Sequence, residues 1–553
     1  MLGVRSTRSD HAPGREAAAR SDSDGARHGR PGGWRLGWLV VAVPAVAELI
    51  VGGYRLGGPS LWRDEAATIS GSQRPAGAIL AMMANQDAVH GPYYLLMHPV
   101  IAVGGISATT LRLPSLTAMC IAAGLTAALA RRLAAASGLP AVQAVGLIAG
   151  LALVAVPLTT RYAQEARPYA VATLFAVLAT YLLVRAVARP RPMSWALYAA
   201  ALLLTGLFNL LAVLLVVAHG ASLAWGRRAA VVTAQQDMTE RHDHPGGQVT
   251  GRVVRGWLAA CATAAAALAP LAYLSVGQSS QLNWVTRPDP STIASLLRDF
   301  AGVGALIPVV GALALLGLVA GQGARRGAGL TLATVALPWL VLPPALLIAA
   351  SFIHPVYVER YVLFCQPALA VLASAGLVWL AVVTRRALAG RGLGIRQADA
   401  LAVAPSAVLV AVMVSALIGP QREIRQVTAR VDNLRAVAGV ISAREQPGDA
   451  VLYLPRDTAL VGVAYPAPFR RLRDVGLGES PVASATLRGT EAPLEVVAAR
   501  LRSVRRVWAV QLVNPLSRSV TVPPSLARLL AGLRLTGRWR IQSVLLRLYL
   551  RPS

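Results

Sequence analysis

The chain has 553 residues, 55% of them hydrophobic and 14% charged, with a formal net charge of +28. Apolar runs of about 20 residues, the length that crosses a bilayer core, recur along it, which excludes an ordinary soluble enzyme and reads as a polytopic membrane protein. Arginines fall in short clusters between the apolar runs and form no single basic face, so the charge belongs to cytoplasmic loops and implies no nucleic-acid partner.

Lysine is absent and Ala, Arg, Gly and Val dominate, an actinobacteria-like composition typical of a GC-rich genome. Cys120, Cys261 and Cys365 lie in separate apolar runs, without the spacing of a disulfide framework or a zinc site.

Residues 1–34 mix Arg, Asp, Ser, Gly and His with almost no large apolar side chain and read as a disordered cytoplasmic tail. The run from Leu36 to Val51 has no convincing cleavage site after it and reads as an uncleaved anchor. Its far end emerges outside, so the following loop, 54–110, is extracytoplasmic. Within that loop Ala76–Asn85 and His90–Gly105 are too short or too polar to span and are expected as surface helices.

Granting this, ten further spans follow: Leu111–Ala130, Ala141–Leu158, Ala170–Val187, Trp195–Leu207, Leu210–Trp225, Trp257–Val276, Gly304–Val319, Leu330–Ala350, Val362–Val383 and Leu401–Ile418. The clusters Arg131/Arg132, Arg189/Arg191, Arg227/Arg228, Arg325/Arg326 and Arg385/Arg386 then all face the cytoplasm, which makes about eleven spans self-consistent. The polar loop holding His242 and His244 has too few ligand types for a metal tract and reads as a linker. Residues 35–420 are thus a transmembrane module. Beyond Pro420 the sequence becomes mixed and charged. PGDAVLYLP, RRVWAVQLV and SVLLRLYLR read as strands and Asp432–Glu445 and Leu494–Leu501 as helices, a small extracytoplasmic α/β domain over 421–553 for capping or acceptor recognition.

Four polar constellations fall on the outer side under this topology: Arg63, Asp64 and Glu65; Asp87, His90, Tyr93 and Tyr94; Arg161, Tyr162, Glu165, Arg167 and Tyr169; and His354, Glu359, Arg360 and Tyr361. Arg161, Arg167 and Arg360 sit where the charge rule disfavours arginine, and a phosphate held bidentately is a fitting partner. Asp64 is the candidate catalytic base toward an acceptor hydroxyl and Glu65 the residue that orients the site, two catalytic roles that sequence alone does not separate. Each constellation also has a plainer reading: an exposed ion pair with Arg63, a satisfied ion pair at Glu165, a proline-started helix with interfacial tyrosines at HGPYY, and an interfacial anchor at HPVYVERY.

In that order WRDEA, HGPYYLLMH, LRLPS, RYAQEARPYA and ERYVLFCQPAL cover nearly the whole membrane region. The set resembles the C-type glycosyltransferase superfamily, and is most similar to bacterial relatives of the protein O-mannosyltransferases and the lipid A aminoarabinose transferase. The resemblance implies a polyprenyl-phosphate-sugar donor and an inverting transfer of a mannose- or arabinose-class sugar. It also implies a catalytic acid matching Asp64, a second acidic position matching Glu165, and a glycan, glycolipid or protein acceptor. Where the family commonly has Pro-Pro this chain has Gly91 and Pro92, a departure that bears on where the local helix starts. No metal triad is legible and no nucleotide-binding loop is present, so a divalent cation stays open. A lipid-linked sugar transporter would place ionisable residues near the bilayer midplane. A non-catalytic membrane protein would be indifferent to Asp64 and Glu165.

Overall fold

The computed structural model describes residues 32–236, 249–323, 329–391, 394–513 and 524–552. The tail up to residue 31, the loop of His242 and His244, and Arg325 and Arg326 lie outside the described residues. A short N-terminal unit, Met1–Leu39, contributes the start of helix α1 (Gly32–Gly53), and Val40–Ser553 forms the second unit.

Each apolar run anticipated as a span is helical, as backbone in lipid requires, because only internal hydrogen bonds satisfy it there. After α1 come α2 (Arg63–Ser72), α3 (Ala76–Asn85) and α4 (Gly91–Gly104) in the first loop. Then follow α5 (Ala108–Ala136), α6 (Val142–Ala155), α7 (Pro157–Ala163), α8 (Tyr169–Ala188), α9 (Pro192–Phe208), α10 (Leu215–Gln236) and α11 (Gly251–Gly277). The membrane region closes with α12 (Pro290–Ala301), α13 (Ile307–Ala320), α14 (Leu332–Ser351), α15 (Gln366–Ala389) and α16 (Ile395–Glu423).

Among the described residues, seven helices are long and apolar enough to cross a membrane, and nine spans result if two bent pairs each count as one. The pairs are α6–α7, bent by 68° where Pro157 begins the second helix, and the α12–α13 region, bent by 81° beyond Gly302. The shorter apolar helices Gly37–Gly53 and Pro192–Phe208 coincide with the first and fifth expected spans. Large aliphatic side chains along α11 and α16 are exposed, including Leu258, Val276, Leu401, Val408 and Val412, a surface that suits hydrocarbon and not water.

Helix ends are set by local chemistry. Ser107 caps α5, and Thr331 with Thr334 forms a reciprocal capping box on α14. The tightest crossing, α13 on α15, depends on two glycines: a Cβ on Gly317 or Gly376 would lie 1.9 Å from a carbonyl of the other helix. The α5–α6 turn meets the α13–α14 turn through Ser137, which donates to the Gly321 carbonyl and accepts from the Leu332 amide. The helix end bearing Arg131 and Arg132 thus joins the α13–α14 connection.

The C-terminal region comprises α17 (Leu434–Ser442), β1 (Ala450–Leu454), α18 (Leu460–Ala464), α19 (Pro466–Phe469), β2 (Arg473–Asp474), α20 (Leu494–Arg502), β3 (Arg506–Leu512), α21 (Pro524–Leu530), β4 (Arg534–Ile541) and β5 (Val544–Leu550). Its sheet runs β2-β1-β3-β5-β4, parallel across β2, β1 and β3 and antiparallel across β3, β5 and β4. One face, with Val451, Tyr453, Trp508, Val510 and Leu546, joins the apolar cluster that reaches into the helical module. There α18 packs on α2, and Tyr465 Oη accepts from the Leu61 amide at 3.0 Å. The loop between α1 and α5 is therefore clamped between the long apolar helices and the α/β region.

Candidate functional site

The first loop turns into α2 at Trp62, whose extended backbone (φ −127°, ψ 175°) leads directly into Arg63. Asp64 and Glu65 occupy the first helical turn, where the helix dipole favours negative charge. Being 100° apart around the axis, neighbouring side chains on a helix face different surroundings. Glu65 points inward and is fully buried, accepting from Arg112 Nε and Nη2 at 2.8 Å each and from the Ala166 amide at 3.0 Å. Burial alone would raise its carboxyl, but the Arg112 charge and hydrogen bonds hold it below the ordinary carboxylate range.

Asp64 points the other way, into a cavity of about 960 Å³. Its side chain is 21% exposed, its nearest cation is Arg360 Nη2 at 3.9 Å, and among the described residues its carboxylate makes no hydrogen bond. The Asp64 carbonyl accepts from Arg167 Nη1 at 3.3 Å, so the residue lies between two guanidinium groups.

Arg167 is oriented by a relay from the second constellation. Its Nη2 lies 2.7 Å from His90 Nε2, and His90 Nδ1 lies 2.6 Å from Asp87 Oδ1. Since a guanidinium only donates, Nε2 accepts and the ring proton belongs on Nδ1, toward Asp87. Burial, then the Arg167 charge, lowers His90 and keeps it neutral, while Asp87, despite burial, is held well below its ordinary value chiefly by His90. Tyr94 Oη donates to the other Asp87 oxygen. Asp87 itself has φ 58°, a left-handed conformation that Asp tolerates better than most residues. The segment is fixed by Gln278, which accepts from the Ala88 amide and donates to the Met83 carbonyl, both at 2.8 Å. Helix α4 starts at Gly91, where a Cβ would fall 2.2 Å from Met83 Sδ. The Gly91-Pro92 departure therefore leaves the helix start in place.

Arg360 completes the cavity wall. Its Nε donates to Tyr169 Oη at 3.0 Å, and its guanidinium carbon lies 5.4, 5.8 and 5.6 Å from the Trp284, Tyr169 and Tyr361 ring centres. Among the described residues its Nη groups carry no hydrogen bond, which leaves a fork suited to phosphate oxygens.

Of the residues singled out in the sequence, Arg63, Asp64, Asp87, His90, Arg167, Tyr169, Arg360 and Tyr361 line this cavity. Tyr93 and Tyr94 are buried beneath it, and Glu165 is buried with Arg430 Nε at 3.8 Å as its ion-pair partner. Burial raises the Glu165 carboxyl and lowers Arg430 to about 10. Arg161 and Tyr162 sit together beside Glu165, with the Arg161 guanidinium 5.7 Å from the Tyr162 ring. His354 is exposed, and neither it nor Glu359 reaches the cavity. The exposed ion pair imagined between Arg63 and its acidic neighbours is not formed. Arg63 instead binds Asp432 through Nε and Nη2 at 2.8 and 2.7 Å. Sequence reasoning reached Arg112 only as part of the LRLPS motif, with no role, and assigned no site role to Arg430, Asp432, Trp284, Gln278 or Arg488. Of these, Arg112 in LRLPS and the aromatic in QLNWVTRPDP carried a local signal. Among the described residues no group of three or more His, Cys, Asp or Glu side chains converges.

No protein-family model matches the chain, and no curated protein matches it in sequence. In structure it is similar to ArnT from Cupriavidus metallidurans in the apo state, at 14% identity and TM-score 0.52, over 93% of this chain and 98% of that one. ArnT from the same organism bound to undecaprenyl phosphate is similar at 14% identity and TM-score 0.55, over 94% and 98% of the two chains. The chain shares the fold of these two ArnT structures.

Proposed function

We propose that the chain moves a mannose- or arabinose-class sugar from polyprenyl phosphate to a hydroxyl acceptor on a glycan, glycolipid or protein, at the outer face of a bacterial plasma membrane. The observation that carries this reading is the Asp64 carboxylate, free of hydrogen bonds among the described residues, in one cavity with Arg167 and Arg360. The similarity to ArnT bound to undecaprenyl phosphate supports a lipid-phosphate donor. In this reading the chain crosses the membrane about eleven times, the tail 1–34 is cytoplasmic, 35–420 is the catalytic module, and 421–553 and the loop 54–110 are outside.

Arg360 and Arg167 hold the donor phosphate. Asp64 accepts the proton of the acceptor hydroxyl as its oxygen attacks the anomeric carbon, and the bond from that carbon to the phosphate oxygen breaks on the opposite face. A single displacement inverts the anomeric centre. Negative charge grows on the departing phosphate, where fixed guanidinium groups stabilise it without reorganising. Glu65 is a positioning residue in this scheme, because its ion pair with Arg112 fixes the start of α2. Membranes containing the protein, incubated with radiolabelled polyprenyl-phosphate mannose and arabinose, should move one label into a product of inverted anomeric configuration. Retention of configuration, or label that stays on the lipid with every acceptor, refutes the reading.

A further inference from the structure

On its C-terminal side the large cavity continues into a smaller one of about 330 Å³, and Gln86, Gln281, Asp457 and Arg488 line both. The segment carrying Arg488 is pinned to the first outer loop. Ser70 Oγ donates to the Leu487 carbonyl at 2.6 Å, Gln86 Oε1 accepts from the Leu487 amide at 3.0 Å, and Arg74 donates to the Thr486 carbonyl at 3.0 Å. The mouth is thus a built feature and not a chance gap between two elements.

Its chemistry differs from that of the inner cavity. Arg488 donates to Asp457 at 2.8 Å, Arg456 pairs with Asp474, and Glu491 adds a further acid, so the cations are matched and leave no surplus positive charge. The side chains of Asn85, Gln86 and Gln281 supply both donors and acceptors. Arg488 Nε is buried without a hydrogen-bond partner among the described residues, whereas the Asp457 side chain is 63% exposed. An array of this kind satisfies hydroxyl groups, each of which donates and accepts, and gives a phosphorylated ligand nothing to neutralise. Trp284, 58% exposed on the adjoining wall, adds an aromatic face for the C–H side of a sugar ring.

We propose that this mouth is the acceptor subsite and that it takes an uncharged glycan of at least two sugars. The reacting hydroxyl enters the large cavity toward Asp64, and the next sugar bonds Arg488 and Asp457. The inference rests on the transferase reading and names its acceptor.

The test uses the full-length protein in membrane vesicles, a radiolabelled polyprenyl-phosphate donor that the wild type turns over, and neutral manno- and arabino-oligosaccharides of one, two and three units as acceptors. Arg488→Ala and Asp457→Asn should each raise the acceptor KM about tenfold for two and three units, the loss expected for a hydrogen bond to a charged group. The single-sugar acceptor and the donor KM should be unaffected. An equal loss with all three acceptors would make the pair structural and overturn the subsite. So would unchanged KM values, or a preference for a phosphorylated lipid headgroup or a peptide as acceptor. If label leaves the donor normally while acceptor length has no effect, the subsite alone fails; if label never leaves the donor, the transferase reading fails with it.

Discussion

Asp64 and Glu65 are adjacent in sequence and should fail in opposite ways when neutralised. Asp64→Asn keeps the size of a side chain that makes no hydrogen bond among the described residues and whose nearest cation is 3.9 Å away. A partly exposed contact of that length is worth about 1 kcal/mol or less, so folding should survive. The amide cannot accept the acceptor's proton, and losing a general base costs about a hundredfold or more in turnover. Glu65→Gln instead breaks a bidentate ion pair whose two side chains are both 0% exposed. Removing one partner of such a pair costs about 3–5 kcal/mol, a large part of a typical folding free energy of about 5–15 kcal/mol. Arg112 retains the Leu56, Pro59 and Ser60 carbonyls as acceptors, which places the loss toward the lower end of that range.

The assay separates the two outcomes by measuring yield and thermal stability of each variant in detergent, then turnover per mole of folded protein. Asp64→Asn should be well folded and nearly inactive, and Glu65→Gln poorly folded with near-normal turnover in the folded fraction. The reasoning is refuted if Glu65→Gln is as stable as wild type but inactive while Asp64→Asn turns over normally, because the roles would then be exchanged. If both variants stay stable and active, the cavity is not the catalytic site.

Arg360→Ala should raise the donor KM by about tenfold or more, and Arg360→Lys should not restore it, since a point charge loses both the fork and the ring contacts; an unchanged donor KM removes Arg360 from the phosphate site. Turnover should hold as pH falls to the ordinary imidazole value of 6.5 and drop only below it, because burial and Arg167 lower His90. The stability owed to the neutral ring is complete above that value and is lost as pH falls through the lower folded one, and a wild-type profile already falling at pH 7 counts against the relay. With the three native cysteines replaced by Ala, a cysteine at exposed Ser480 should react with an impermeant thiol reagent in intact cells and one at exposed Met193 should not; the reverse pattern inverts the proposed topology.

Much of the helical architecture was legible because a lipid-facing helix announces itself by length and apolarity. The bounds of the helix Ala76–Asn85 were legible to the residue, and β1, β3 and β5 by their buried runs. Strand β4 was not, because it is an edge strand whose Arg534, Arg538 and Arg540 break the apolar signal. The partners of the site's charges were invisible for a different reason. Arg112 sits within what reads as an apolar span, 47 residues from Glu65, and Asp432 is 369 residues from Arg63. Sequence can show that a carboxylate is unusual in its setting, but which cation it meets is decided by packing. Glu48, inside the first apolar run, is such an unusual carboxylate, and the structure buries it with neither carboxylate oxygen hydrogen-bonded among the described residues.

The arginines around the cavity and the loop between α1 and α5 divide by whether the protein itself supplies a hydrogen-bonded acid. Arg63 meets Asp432 and Arg112 meets Glu65 in hydrogen-bonded pairs that tie the start of α2 to the C-terminal region and to α5, whereas Arg430 lies 3.8 Å from Glu165 without a hydrogen bond to it. Arg167 and Arg360 have no such acid in hydrogen-bonding reach; they are held by a neutral imidazole, a backbone carbonyl and a tyrosine hydroxyl, all groups that orient a guanidinium without neutralising it. A cation fixed in this way in a partly dry cavity retains unsatisfied charge, which an entering phosphate would relieve. Had Glu65 faced the cavity beside Asp64, that charge would have been spent inside the protein. The inward turn of Glu65 onto Arg112 is therefore what leaves one carboxylate and two guanidinium groups together, the combination that an acid-base step beside a phosphate leaving group requires.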